Sequence, residues 1–533
     1  MTIWGKRMRS CGFSEFWRFS AYRLFLIFAV ATVLSGAGAT ALRAQTVDLE
    51  GLDAMIAQAQ EDWPVPGLAV VIVKDGEAVL MKGYGERELG GGEPVDEHTL
   101  FAIASNSKAF TSASLAMLVE EGKLSWDDPV RKHLPYFQLY DPYVSQEMRI
   151  RDLLSHRSGL GTFSGDLLWY GTGYTPEEVV RRTRYVPQAG SFRASYGYSN
   201  LMFLAAGEVI AAVSGMPWAD FVESRILTPL GMDRTVTSTA ALPRTENVAT
   251  PHKNWTDRVE PIEWYNWDIM AAAGGIISSV SDMARWLELQ LGNGEAEGLR
   301  LFSEDSSWEM WTVHTPRAVS AGSRDSSPST HFRGYGLGWG LNDYQGRLIV
   351  SHGGGYDGMF SRVVLVPEED LAMAVFTNSM TSISTAITNT ILDAYLGGES
   401  QDWSRTLLMN WRSARSGFEA RQDRFEEERM EGTHPSLELE GYAGRYGGPM
   451  YGDGTVSFED GRLVLRLLPN PDLVADLTHL HHDTFLIDWR NTFAWFGKGA
   501  ATFLLDPYGT VTEVKLDVPN EDLWFHELEL KRK

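Results

Sequence analysis

The pattern of apolar and polar positions changes character along the chain. Leu24 to Leu34 is an eleven-residue apolar run broken only by Thr32; Lys6, Arg7, Arg9, Arg18 and Arg23 precede it, and small residues from Ser35 to Ala41 follow. A basic stretch, a short apolar core and a small-residue exit describe an export signal over 1–44, cleaved near Ala44, with a retained anchor as the alternative. The run is shorter than the roughly twenty residues a bilayer span needs, so no stable membrane span is expected after cleavage. The cleaved chain would be periplasmic or secreted.

From residue 45 to about 400, helix and strand signals alternate. Leu68–Val73 and Ala78–Met81 flank Lys74-Asp75-Gly76, the mark of a hairpin. A helix is expected from Ser105 to Glu121, stopped by Gly122. Arg347–Val350, Ser361–Val366 and Leu371–Phe376 are spaced as an antiparallel meander, and residues 315–332, rich in Ser, Pro, Gly and Thr, as an exposed loop. Residues 401–436 are rich in charge, densest from Glu419 to Glu431, with scattered apolar positions, and suit a linker helix bridging solvent between two bodies. From 437 to 533 short β-rich runs alternate with turns such as Gly452-Asp453-Gly454 and Glu459-Asp460-Gly461, which predicts an all-β domain, a barrel or a sandwich.

Composition narrows the function classes. The 533 residues carry 47 Lys and Arg against 70 Asp and Glu, a net charge of -23, and one cysteine, Cys11. Such acidity repels phosphate backbones, so no nucleic-acid partner is expected. A single thiol ahead of the first apolar run excludes an internal disulfide and a cysteine metal site in the exported chain. His479, His481 and His482 lie in a strand pattern that turns neighbours to opposite faces, so they are assigned to a strand end, with no metal and no cofactor.

The chemistry is concentrated in three short segments. Ser105 and Lys108 stand one turn apart at a helix start, where an amine touches a hydroxyl and the helix N-terminus adds partial positive charge. Tyr198 and Asn200 open a second apolar helical run, Leu201 to Val213. His352, Gly353, Gly354 and Gly355 continue a strand, where glycines allow close approach of another backbone or a substrate carbonyl.

With Arg151-Asp152-Leu153-Leu154-Ser155-His156-Arg157-Ser158-Gly159-Leu160, Ala272-Ala273-Gly274-Gly275 and Tyr335-Gly336-Leu337-Gly338-Trp339, these motifs resemble the penicillin-recognising serine hydrolases. Within them the resemblance is to the branch of class C β-lactamases, D-aminopeptidases and family VIII carboxylesterases. It covers about residues 50–395 and implies an α/β (α+β) fold: an antiparallel sheet flanked by helices, plus an all-α region. It also implies Ser105 as nucleophile, Lys108 as its amine, Tyr198 as a phenol and Asn200 as a substrate-orienting amide. His352-Gly353-Gly354 replaces the Lys-Thr-Gly of β-lactamases, which directs the expectation toward peptidase or esterase activity. The C-terminal domain resembles the small lipocalin-like barrel that follows the hydrolase in some members, chiefly through Gly441-Tyr442-Ala443-Gly444-Arg445-Tyr446.

The expected reaction is an acyl transfer through Ser105, with backbone NH groups of Ser105 and Gly355 holding the oxyanion. Lys108 and Tyr198 are both open as the acylation base; the favoured arrangement is a coupled pair in which Lys108 lowers the pKa of Tyr198. His156 is assigned to organising its loop, His352 either to a substrate contact or to strand-end packing. Trp264, Tyr265 and Trp267 are candidates to wall the cleft. Small-molecule or short-peptide substrates fit this chemistry, and an oligomer is left open. Two alternatives stand beside it: a penicillin-binding sensor acylated without turnover, and a ligand-binding barrel on a vestigial body.

Overall fold

The computed structural model describes residues 47–254, 258–326, 329–397 and 401–533; the expected export segment 1–44, with Cys11, lies outside the described residues. The central sheet has eight antiparallel strands. Numbering the strands of the sheet and barrel, and the main helices, in chain order, they are β1 (Gly67–Lys74), β2 (Glu77–Gly85), β3 (Thr315–Arg317), β4 (Arg333–Tyr335), β5 (Gly340–Tyr344), β6 (Arg347–Tyr356), β7 (Met359–Val366) and β8 (Leu371–Thr377). Their order is 2-1-8-7-6-5-4-3, so the N-terminal hairpin joins the meander beside β8. Asp75 and Gly76 have φ of 54° and 77°, the left-handed pair that a tight hairpin turn requires. Val70, Val71 and Ile72 on β1 and every residue of β8 are buried, as strands covered on both faces must be.

Helix α1 (Leu49–Asp62) opens the described fold, and α2 (Ser107–Glu120) runs through the interior. All of Ser107 to Leu118 is buried, which its Ser, Ala, Leu and Phe side chains permit on every face. Further helices are α3 (Asn200–Ser214), α4 (Val280–Leu291) and α5 (Ile383–Leu396). Among the described residues no single helix is long and apolar enough to cross a membrane.

Two segments differ from expectation. Residues 315–332 contain β3, paired with β4, and a short helix at Ala321–Ser326; their small polar composition conceals an edge strand only three residues long. The charged segment forms α6 (Trp403–Glu427), which does not simply bridge solvent. Trp403 and Leu408 are buried, the Trp403 indole donates to Asp393 Oδ2 at 2.6 Å, and the Trp411 indole to the Met380 carbonyl at 3.2 Å.

Beyond α6, eight antiparallel strands close a barrel: β9 (Gly444–Gly448), β10 (Gly452–Glu459), β11 (Arg462–Leu467), β12 (Val474–His481), β13 (Thr484–Trp489), β14 (Gly499–Leu505), β15 (Val511–Asp517) and β16 (Leu530–Arg532). Tyr446 opposite Arg532 makes the closure. Side chains fill an eight-stranded interior; here Tyr442, Phe485 and Phe503 meet with ring centres 5.0 to 5.5 Å apart. At the strand end between β12 and β13, a ring nitrogen of His479 meets the His482 carbonyl at 3.0 Å.

Asp48–Lys533 is one compact unit, and the barrel is seated on the hydrolase-like body through specific polar contacts. Asn470 Nδ2 donates to the Tyr170 carbonyl and to the Tyr265 hydroxyl, each at 2.9 Å. Glu527 accepts from the Gly165 amide at 2.8 Å and from the Ser164 hydroxyl.

Candidate active site

Ser105 sits in a turn that the backbone is forced to make. Strand-like Phe101–Ala102 leads into a 3-10 turn at Ala104–Asn106, and Ala104 has φ of 47°, a left-handed conformation that an alanine adopts at a cost of about 1 kcal/mol or more. The turn throws Ser105 onto the head of α2, one turn before Lys108. Gly354 on β6 is needed for this: a Cβ there would lie 2.3 Å from the Ile103 carbonyl oxygen and 2.4 Å from Ser361 Oγ. The glycine therefore makes room for the turn that carries Ser105, an approach of another backbone, which is one of the two uses the sequence suggests for these glycines. Gly355 is different, since a Cβ there would meet Trp495 of the barrel at 3.0 Å and Phe360 at 3.1 Å. At Gly353 the nearest atom is 3.9 Å away, so this stretch of strand edge is open.

Lys108 is fully buried. Its Nζ lies 3.0 Å from Ser105 Oγ, 2.8 Å from Asn200 Oδ1 and 2.8 Å from the Ala273 carbonyl. The last contact gives the Ala272-Ala273-Gly274-Gly275 motif a purpose that the sequence did not disclose: it presents a main-chain acceptor to the amine. Burial holds the Lys108 pKa well below the usual lysine range, with Asp166 pulling the other way. A neutral amine has two N–H donors and one lone pair. Asn200 Oδ1 and the Ala273 carbonyl can only accept, so they take both donors and leave the lone pair toward the Ser105 hydroxyl.

Tyr198 faces Ser105, and burial raises its pKa well above 10; the hydrogen bond with Ser105 opposes that rise only in part. Lys108 lies over the face of the Tyr198 ring, 4.8 Å from its centre. The expected lowering of the phenol by the amine is therefore not what this geometry favours. His156 is buried, and its Nδ1 accepts from the Ser199 amide at 3.1 Å, while its ring packs 4.1 Å from Tyr198. That is the loop-organising role assigned to it.

His352 lines the cavity with both ring nitrogens engaged. Nδ1 lies 2.6 Å from the Gly353 carbonyl, which can only accept, so Nδ1 carries the proton and Nε2 accepts from the Tyr335 hydroxyl at 2.8 Å. Burial, then Lys108, pushes its pKa down to about 3. The imidazole is neutral and supplies no positive charge to a substrate.

Asp166 is the residue that motif reading missed. It is buried, its Oδ2 accepts from Asn200 Nδ2 at 2.7 Å, and burial raises its pKa to about 8. The available signal was an acid placed directly before the apolar segment Leu167-Leu168-Trp169-Tyr170. Asp357 does similar service for the aromatic wall, accepting from the Tyr170 hydroxyl at 2.8 Å and the Trp267 indole at 2.9 Å. Trp267 lines the cavity, whereas Tyr265 stacks behind on Tyr170 at 4.6 Å and Trp264 packs on Tyr356 at 5.2 Å.

These groups surround one cavity of about 510 Å³, which contains Ser105, Tyr198, Asn200, His352 and all three glycines of β6. The barrel supplies Trp495, Asp522 and Leu523 to its lining. No motif announced this, because those residues are some 390 positions or more from Ser105 and belong to loops.

Comparison with known proteins agrees with the geometry. The family model described as Beta-lactamase matches residues 52–397, and one for a domain of unknown function, DUF3471, matches 428–532. The chain is 30% identical over 432 residues to the unguisins hydrolase ungD' of Aspergillus campestris, covering 77% of this chain and 78% of that protein. Among solved structures, the octameric penicillin-binding protein homologue from Pyrococcus abyssi is 24% identical with a TM-score of 0.59, covering 91% of this chain and all of that one. The D-amino acid amidase of Ochrobactrum anthropi SV3 is 26% identical with a TM-score of 0.52, covering 65% of this chain and 98% of its own. With most of the chain matched by the family model, and with Ser105, Tyr198 and Asn200 lining one cavity and Lys108 buried against Ser105, the chain belongs to the beta-lactamase family of serine hydrolases.

Proposed function

We propose that this protein cleaves an acyclic amide, peptide or ester bond through an acyl-enzyme on Ser105, with Lys108 as the base of acylation. The carrying observation is the donor and acceptor count at Lys108 Nζ, which directs a lone pair at the serine hydroxyl 3.0 Å away. As Ser105 Oγ attacks the carbonyl carbon, its proton passes to Lys108. The backbone NH groups of Ser105 and Gly355 receive the oxyanion, a contribution typically worth a hundredfold or more in rate. Tyr198, kept as a phenol by burial, donates its proton to the departing nitrogen or oxygen and is reprotonated from Lys108. Water then repeats the attack on the acyl-enzyme with the same groups.

Amide and peptide bonds are favoured over β-lactams because His352, at the strand position of the β-lactamase lysine, is a neutral ring already bonded to Tyr335 and Gly353. The D-amino acid amidase among the similar structures supports an amide substrate, and the relative named a hydrolase supports hydrolysis. Export to the periplasm or the medium, directed by residues 1–44, completes the proposal. A fluorophosphonate probe should label Ser105, as read by peptide mass spectrometry, and Ser105→Ala should abolish turnover of a panel of D-amino amides, short peptides, esters and penicillins. Labelling that persists in the Ser105→Ala protein, or penicillin turnover exceeding that of every other substrate, would reject it.

A further inference from the structure

Tyr198 owes its place to a loop distant in sequence. Its amide donates to Thr162 Oγ1 at 3.2 Å, and its carbonyl accepts from the Phe163 amide at 2.8 Å. The amides on either side of it both donate to His156: Gly197 to the carbonyl at 2.9 Å and Ser199 to Nδ1 at 3.1 Å. His156 has φ of 54°, a left-handed conformation uncommon outside glycine and asparagine, and in it the carbonyl and the ring meet the same segment. Its neighbours are fixed to the sheet edge. Thr315 on β3 donates to the Ser155 carbonyl at 2.6 Å, and Arg157 donates to the His314 carbonyl at 2.9 Å and pairs with buried Asp152 at 2.6 Å.

The His156 ring adds a second constraint. It is fully buried, 4.1 Å from the Tyr198 ring with planes 34° apart, and 4.4 Å from the Tyr335 ring. With Nδ1 accepting, the neutral imidazole carries its proton on Nε2, and Nε2 has no hydrogen-bond partner among the described residues. Burial keeps the ring neutral, and Lys108 acts in the same direction. A buried N–H without an acceptor costs stability, and a hydrocarbon ring would fill this space without that cost. What a hydrocarbon ring could not do is accept from Ser199.

We propose that His156 is a positioning residue that brackets Tyr198 at both flanking amides and across its ring, and so aims the phenol at the leaving group. It thereby governs cleavage of amide and peptide bonds more than that of esters whose leaving group departs as an anion. The step it serves is collapse of the tetrahedral adduct. The bond from carbon to nitrogen breaks, its electron pair stays on nitrogen, and the Tyr198 proton passes to that nitrogen; a departing aryl oxide does not require the proton. Such a transfer is directional, since a hydrogen bond weakens steeply as it bends. The inference rests on the reading of Ser105 as nucleophile and Tyr198 as proton donor.

The test sets two leaving groups on one acyl group: N-acetyl-phenylalanine amide and N-acetyl-phenylalanine 4-nitrophenyl ester, each in L and D form. For both, kcat/KM is read, because it reports the steps up to acylation and not the later hydrolysis. His156→Phe keeps a ring and loses the acceptor for Ser199, whereas His156→Asn loses the ring and keeps an acceptor on a residue at ease in the left-handed region. His156→Phe should lower kcat/KM for the amide about a hundredfold and for the ester no more than about fivefold, and His156→Asn should regain about tenfold on the amide. In a Tyr198→Phe background, His156→Phe should have no further effect on the amide. Parallel loss on both probes in a folded His156→Phe protein, or an undiminished effect in the Tyr198→Phe background, overturns the inference. Should His156→Phe fail to fold, His156→Asn is read against the wild-type chain by the same comparison of amide with ester. Should the wild-type chain cleave neither amide, or Tyr198→Phe spare amide cleavage, the fault lies in the proposed function, and crystal structures of the His156 variants judge the positioning. A Tyr198 phenol displaced from Ser105 then supports it, and a phenol that stays on Ser105 overturns it.

Discussion

Asp166 is connected to Lys108 through a single side chain. Asn200 accepts from Lys108 Nζ on its oxygen at 2.8 Å and donates from its nitrogen to Asp166 Oδ2 at 2.7 Å. The amide cannot be reversed without opposing donor to donor and acceptor to acceptor, so the chain of bonds has one polarity. Ionised Asp166 favours the charged form of Lys108, whereas burial favours the free amine.

The first prediction follows from that linkage. Burial raises the Asp166 pKa to about 8, so Asp166→Asn removes a negative charge only where the pH approaches or exceeds that value. The acid limb of kcat/KM should therefore stay in place while the profile changes shape above about pH 8, whereas a variant that merely loosened the fold would lower the whole profile evenly. Asn200→Ala removes the intermediary and should cost about a hundredfold in kcat/KM, measured on the same substrate.

The glycines of β6 should separate by role. Gly354→Ala places a Cβ against Ile103 and Ser361, so both activity and stability should fall, the latter by about 1–3 kcal/mol. Gly353→Ala meets open space and should leave the melting temperature within about two degrees while impeding substrate. Thermal melts and steady-state kinetics on both proteins decide the matter, and equal destabilisation by the two changes would contradict it.

The barrel should not part from the body on cleavage. Because Asn470 and Glu527 bind it to residues 164–170, a single protease cut in segment 428–436 should leave two fragments that co-elute in native gel filtration and remain active. Release of an active fragment ending near residue 430 would show that the cavity does not need its barrel-borne wall. Trp495→Ala should keep fluorophosphonate labelling of Ser105 but alter the ranking of substrates by size.

The contribution of two buried acids to stability should fall as pH rises from about 4 to 7. Burial raises the pKa of Asp522 to about 7 and that of Asp357 to about 6, against 3.8 for an ordinary aspartate. Between those values these two groups bind more protons in the folded chain than in the unfolded one, so their contribution is fully present below the unfolded pKa and is lost as pH rises through the folded values. Asp522→Asn should therefore raise the melting temperature by a few degrees at pH 8 and change it little at pH 4. A shift of the same size at both pH values would show that packing, not ionisation, sets the difference.

Much of the reacting centre was legible because it is written locally. Ser105 and Lys108 share one helical turn, and Tyr198 and Asn200 flank a helix start, so periodicity and spacing carry them. The meander and the Asp75-Gly76 turn were legible for the same reason. Asp166, Arg362, Asp522 and Trp495 were not. Each enters the cavity from a loop, a 3-10 turn or a strand whose neighbours in sequence serve packing, and only the tertiary fold brings them together. The state of Tyr198 and His352 was equally hidden, since burial, which drives both shifts, is a property of the assembled interior.

The division of the cavity lining between the body and a closed barrel bears on how this protein can change. The strands of the cylinder are fixed by their neighbours on both sides, whereas the loops bearing Trp495 and Asp522 are free to vary in length and sequence. Substrate choice is thereby separated from bond breaking: grafting a different pair of barrel loops would retune the enzyme while leaving the Ser105 turn, and the strained Ala104 that shapes it, untouched.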